Sequence, residues 1–195
     1  MNSFAELGGN SCDFSDLNVE HAVNQIFARL PKQREISDPV FPGYVGIFEA
    51  GPLHAAGLDT LQRYGPLQRY CVNGTRVIQF DIFNDGGVRL VAPWRSCSGA
   101  EGTITVVAGY SRFTVQLMVE GSGSDAMLQY MGPNLHVATE DLSVRFEGAG
   151  DQMMAIVKVI FRFLDPLVRE SWKDIFFRQF YSSLQEILPV CLNKV

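Results

Sequence analysis

Three histidines, His21, His54 and His136, are the side chains best suited to metal binding or general-base chemistry, and none lies within a few residues of another histidine or of a cysteine. Structural and catalytic metals take ligands at short, recurrent spacings, so no metal site is expected. Acyl transfer finds no better start. Gly121-Ser122-Gly123-Ser124-Asp125 has the wrong order for a nucleophile elbow, and Gly109-Tyr110-Ser111-Arg112 lacks the closing glycine. There is no glycine-rich phosphate cradle ahead of a helix. The acids Glu140 and Asp141, and Asp81 and Asp85, fall at expected strand edges and turns, where they are solvated. The residues therefore point away from an enzyme and from any cofactor.

Four cysteines, Cys12, Cys71, Cys97 and Cys191, are widely spaced and form no CxxC pair. Their even number allows two disulfides in three connectivities. The expected pairs are Cys12 with Cys191, joining the two ends, and Cys71 with Cys97, across the arms of an expected hairpin. Four reduced, buried thiols in a cytosolic protein is the alternative. Asn73-Gly74-Thr75 is a glycosylation triplet on an expected turn, which favours secretion. The opening residues, Met1 to Glu6, carry neither a basic stretch nor an apolar one, so no targeting signal is expected in them and the sequence reads as a mature form behind an initiator Met.

The elements that would hold these groups follow from patterning. With 47% apolar and 19% charged residues, the 195-residue chain has ample material for a core, and nothing in its composition divides it. Its net charge of -5 argues against nucleic acid, whose phosphates it would repel. Residues 1–14 are rich in Gly, Ser and Asn and read as a flexible segment, followed by a single domain over 15–195. From Ser15, the expected N-cap, Val19, Ala22, Val23, Ile26, Phe27 and Leu30 recur at helical spacing until Pro31. Pro39, Pro42 and Gly43 punctuate a linker.

From Tyr44 to about Gly148 the sequence alternates as β structure, with six or seven antiparallel strands expected. Ile78, Phe80 and Ile82 share one face of a strand, and Asn84-Asp85-Gly86-Gly87 predicts a hairpin joining Arg76–Phe83 to Val88–Pro93. Along Thr103–Val119, Ile104 and Val106 are in one phase and Phe113, Val115, Leu117 and Val119 in the other. That switch predicts a bulge or sharp bend near Gly109.

The final helix, expected from Asp151 to Val190, is apolar over far more than one stripe, while Lys158, Arg162, Arg169 and Lys173 fall on one narrow polar edge. Those charges rule out a membrane span. Pro166 should kink the helix. A wide apolar surface of this kind needs cover on several sides, from a curved sheet, a bound lipid, or both.

Gly57-Leu58-Asp59-Thr60-Leu61-Gln62-Arg63-Tyr64-Gly65 after the first strand, Leu142-Ser143-Val144-Arg145-Phe146, and Phe163-Leu164-Asp165-Pro166-Leu167 inside the last helix, taken with the order of elements, resemble the group 7 mite allergens. The resemblance runs from the first helix to Val190. That family is similar to the takeout and juvenile hormone binding proteins of insects and to one half of bactericidal/permeability-increasing protein. It implies an α+β super-roll, a long curved antiparallel sheet rolled around the C-terminal helix with the N-terminal helix beside it, and apolar molecules bound inside. Binding of lipopolysaccharide or anionic membranes does not carry over. It needs a basic tip, and this chain has only Arg63, Arg69 and Arg76 near expected strand ends. The cysteines match nothing in the family pattern.

The expected function is a secreted carrier that sequesters a fatty acid, sterol, terpenoid or phospholipid between sheet and helices, without stable membrane insertion. Its expected lining is Ile26 and Phe27 on the first helix, Ile78, Phe80 and Ile82, then Phe113, Val115 and Leu117, and Ile156, Val157, Ile160, Phe163 and Leu164 on the last helix. The competing reading is an extracellular interaction module with a full core, and a lipid-cleaving esterase lacks a recognisable triad.

Overall fold

Twenty consecutive residues, Glu101–Glu120, form one strand, and most of the sheet is laid along its two edges. The computed structural model describes residues 12–36, 43–45, 48–132 and 134–192. In chain order the elements are α1 (Val19–Ala28), β1 (Gln33–Ile36), β2 (Gly43–Val45), β3 (Phe48–Ala50), β4 (Leu53–Ala56), β5 (Gln62–Val72), β6 (Thr75–Asn84), β7 (Arg89–Ser96), β8 (Glu101–Glu120), β9 (Met127–Tyr130), β10 (Leu135–Glu147), α2 (Asp151–Ile187) and β11 (Val190–Cys191). All described pairings are antiparallel and belong to one sheet of eleven strands. The path β1-β4-β7-β8-β6-β5 ends on two strands that do not pair with each other, so the described sheet is open. The fold is α+β, as the alternating patterns imply.

The excess over six or seven strands arises because long edges are broken into pieces. Strands β6 and β7 follow one another along the same edge of β8, β9 and β10 along the opposite edge, and β3 and β4 along β7. The expected β6–β7 hairpin is therefore corrected: these strands pair with β8, not with each other. Asn84 pairs with Ser111 and Arg89 with Val107, so the four residues 85–88 face the three residues 108–110, a one-residue bulge. Asn84 fastens the break. Its Oδ1 accepts from the Val88 N–H at 2.9 Å, and its Nδ2 donates to the Ala108 carbonyl at 3.2 Å and to Ser111 Oγ at 3.4 Å. The turn-forming residues thus bend a strand rather than reverse it.

On the other edge of β8, Asp141 adopts φ 51° between the Glu140–Tyr110 and Leu142–Ala108 pairs. Both neighbours of Gly109 are irregular there, which is where the phase switch of β8 put the irregularity. The true reversal lies at the opposite end of β6, at Asn73-Gly74, with φ of 50° and 80°, the two positive values that a type I′ turn between β5 and β6 requires.

Helix α1 begins one turn later than Ser15. Asn18 is the N-cap, its side chain accepting from the His21 N–H at 3.3 Å, while Ser15 is held locally by Asp13 through 2.9 Å hydrogen bonds from its N–H and hydroxyl. Val19, Ala22, Val23 and Ile26 are the buried stripe of this helix. Helix α2 ends at Ile187 instead of Val190, because Val190 and Cys191 pair with Leu128 and Met127 of β9. Pro166 lies within α2, which continues across it. Edge strand β1 is clasped to α2 by Arg34, which donates to both Glu186 oxygens at 2.6 and 2.7 Å and to Ser182 Oγ at 2.8 Å.

Candidate functional site

One face of the sheet carries the apolar residues, and its two halves are covered differently. In the β6 half, Ile78, Phe80 and Ile82 stand directly opposite Leu117, Val115 and Phe113, and all six are buried in the core. Ile26 of α1 joins this cluster, and Phe27 packs against it with its ring 6.2 Å from that of Phe80. The α2 residues Trp172, Phe176, Phe180 and Leu184 close it. Phe113 is the hub, with Phe176, Phe177 and Phe180 at 5.3, 5.4 and 5.0 Å, all edge-on. Of the expected lining, the structure thus brings Ile26, Phe27, Ile78, Phe80, Ile82, Phe113, Val115 and Leu117 together. The side chains of Ile156, Val157, Ile160, Phe163 and Leu164 lie outside the described residues.

In the β7 half the register builds two rows across three strands: Leu90–Val106–Val144 and Ala92–Ile104–Phe146. Leu90, Ala92 and the adjacent Trp94 are each 3% exposed, whereas Val106, Val144, Ile104 and Phe146 are only half-buried, as is Leu142 opposite Ala108. Val106 and Leu142 pack against the core cluster, so the half-buried surface is continuous with the filled half. Trp94 lies 5.8 Å from Phe146 and donates its indole N–H to the Glu147 carbonyl at 3.2 Å. Sequence reasoning did not place these residues in the lining. Their alternation was visible, but how deeply each is covered is not a property of alternation.

Polar groups are few in the interior. Asn84, Ser111, Thr114, Gln179 and Ser183 are the buried polar residues among those described, and none is charged. Trp172, stacked on Phe176 at 5.6 Å, is the exception to satisfied bonding: its Nε1 is buried with no hydrogen-bond partner. A buried donor left in that condition costs about 1–3 kcal/mol.

Beside this cluster a groove of about 630 Å³ opens between α2 and the β9–β10 connection, lined by Tyr130, Met131, Gly132, Asn134, Phe177, Arg178 and Tyr181. Phe177 forms both its wall and part of the ring cluster around Phe113. The Tyr130 and Tyr181 rings lie 4.8 Å apart, and burial, reinforced by Tyr181, pushes the Tyr130 phenol up. His136 sits 6.0 Å from Phe177, and burial followed by the charge of Lys173 holds its imidazole below the ordinary value.

The disulfide differs from both expected pairings. Cys12 is bonded to Cys71, with Cα atoms 5.8 Å apart, which excludes Cys12–Cys191 and Cys71–Cys97. The hairpin arms that were to be stapled are not hairpin partners, and Cys97 is exposed just after β7. Asn73 is exposed at the tip of the β5–β6 turn, two residues from Cys71. Among the described residues no group of three or more His, Cys, Asp or Glu side chains gathers as a metal site, and no helix is long and apolar enough to cross a membrane. The sequence matches no protein-family model and no curated protein.

Proposed function

We propose that this protein is a non-catalytic carrier that shelters an elongated apolar molecule against the β7–β8–β10 half of its sheet. The observation that carries this reading is the pair of rows Leu90–Val106–Val144 and Ala92–Ile104–Phe146, apolar, half-buried on β8 and β10, and continuous with a core that is filled elsewhere. The ligand's contacts come from these residues, and the contribution expected from the sequence for Ile156, Val157, Ile160, Phe163 and Leu164 falls outside the described side chains. In this reading the sheet rolls about α2, as the likeness to the group 7 mite allergens implies. Each CH₂ withdrawn from water contributes about 0.8 kcal/mol, so a chain of a dozen carbons reaches micromolar affinity without a charged anchor. The Cys12–Cys71 disulfide supports an oxidising compartment, and with it secretion and glycosylation at Asn73.

The test is native mass spectrometry after mild purification, combined with uptake of the neutral fluorophore N-phenyl-1-naphthylamine and its displacement by fatty alcohols. Co-purified lipid or saturable displacement is expected. If both are missing, the carrier reading fails.

A second reading, an extracellular interaction module, draws on four exposed apolar side chains, Met131 and Tyr181 in the groove wall and Leu135 and Val137 on β10, which are 37–54% exposed. It predicts that Met131→Ser or Tyr181→Ser abolishes partner binding while lipid uptake, if any, is untouched.

A further inference from the structure

The two tryptophans of this chain are treated differently by the fold. Trp94 has a backbone acceptor in Glu147, whereas Trp172, 1% exposed, has no acceptor from the protein for its indole N–H. Buried donors in native proteins are nearly always bonded, and the Trp172 indole N–H is the one buried side-chain donor among the described residues for which the protein supplies no acceptor. The position of Trp172 is informative. On its C-terminal side it stacks on Phe176, which packs against Phe113 in the filled half. One turn toward the N-terminus of α2, Arg169 donates to the Thr139 carbonyl of β10, the strand whose Leu142, Val144 and Phe146 are half-buried. Trp172 therefore stands at the junction between the filled core and the half-buried rows.

Resting on the carrier reading above, we infer that Trp172 is the polar anchor of the bound molecule, its indole N–H donating to a neutral oxygen such as a ketone or ester carbonyl. An indole N–H is a donor only and carries no charge. Because no charged side chain is buried among the described residues, an ionised carboxylate drawn into this interior would meet no buried counter-charge. The ligand class is thus a long apolar molecule with an uncharged acceptor within its buried part, rather than an ionised fatty acid.

The full chain is titrated with tridecane and with 2-tridecanone, which differ in one carbonyl, using displacement of N-phenyl-1-naphthylamine and the two indole N–H signals of ¹⁵N-tryptophan-labelled protein. Trp172→Phe should weaken 2-tridecanone about tenfold, equivalent to about 1.4 kcal/mol, and leave tridecane within twofold. In the wild type, the Trp172 indole proton, identified by its loss in the variant, should move downfield with 2-tridecanone and not with tridecane. Should the variant fail to fold, the wild-type indole shift alone decides. Binding of both compounds with no difference in that shift overturns the anchor and leaves the carrier standing. Binding of neither overturns both.

Discussion

Gly109 in β8 and Asp141 in β10 face each other so closely that a Cβ on Gly109 would lie 2.9 Å from the Cβ of Asp141, whose own backbone is left-handed at φ 51°. Across β8, Gly86 of the bulge lies on the same line, where an added Cβ would be 3.7 Å from the Gly109 carbonyl oxygen. The chain on both edges of β8 is thus irregular at the level of Gly109, and that level separates the filled half of the apolar face from the half-buried one. Gly109→Ala should cost about 1–3 kcal/mol by urea denaturation. Asp141→Gly removes the opposing Cβ and suits the positive φ, so in that background the loss should fall by half or more. Equal losses in both backgrounds would show that the close approach is not what holds glycine there.

Leu117 and Val106 lie on the same strand but in differently covered halves of the sheet. Leu117→Trp forces a larger side chain into a filled core and should lose about 1–3 kcal/mol. Val106→Trp, on the half-buried row, should lose less than about 1 kcal/mol and instead reduce uptake of N-phenyl-1-naphthylamine. A Val106→Trp variant as unstable as Leu117→Trp would place both positions in one full core.

Peptide mapping of the unreduced protein should recover a Cys12–Cys71 link and neither Cys12–Cys191 nor Cys71–Cys97. The bond spans 59 residues of sequence, and Cys71→Ser should lower stability by about 2–4 kcal/mol, most of it through the greater freedom of the unfolded chain. Reductant added to the wild type should produce the same loss.

His136 titrates below the ordinary histidine value of 6.5 because of burial first and Lys173 second. The unfolded chain therefore takes up this proton at higher pH than the folded one. The stability linked to His136 is fully present above pH 6.5 and is lost as the pH falls through the window between that value and the lowered one. Lys173→Gln should move the His136 titration upward by NMR and narrow that window. His136→Gln should remove this part of the pH dependence, and an unchanged pH profile in that variant would assign it elsewhere.

The apolar faces were legible in particular residues. Ile78, Phe80, Ile82, Phe113, Val115 and Leu117 alternate at period two, and side chains two apart in a strand must share a face, so their common burial follows from spacing alone. The same reasoning found α1 and the length of α2 to within a few residues, and located the irregularity near Gly109. It failed at Asn84-Asp85-Gly86-Gly87, where residues that permit a tight turn form a bulge, because positive φ is compatible with both and the choice depends on which strand lies alongside.

What the chain determined by itself is therefore its α+β class, its two helices and the sides of β6 and β8 that turn inward, all set by local periodicity. Only the tertiary structure decided that β8 takes β6 and β7 on one edge and β9 and β10 on the other, that Cys12 reaches Cys71, and that Trp172 is enclosed without an acceptor. Alternation names a face but not a neighbour. Pairing, bonding and depth of burial depend on residues brought together from distant parts of the chain, and no spacing along it records them.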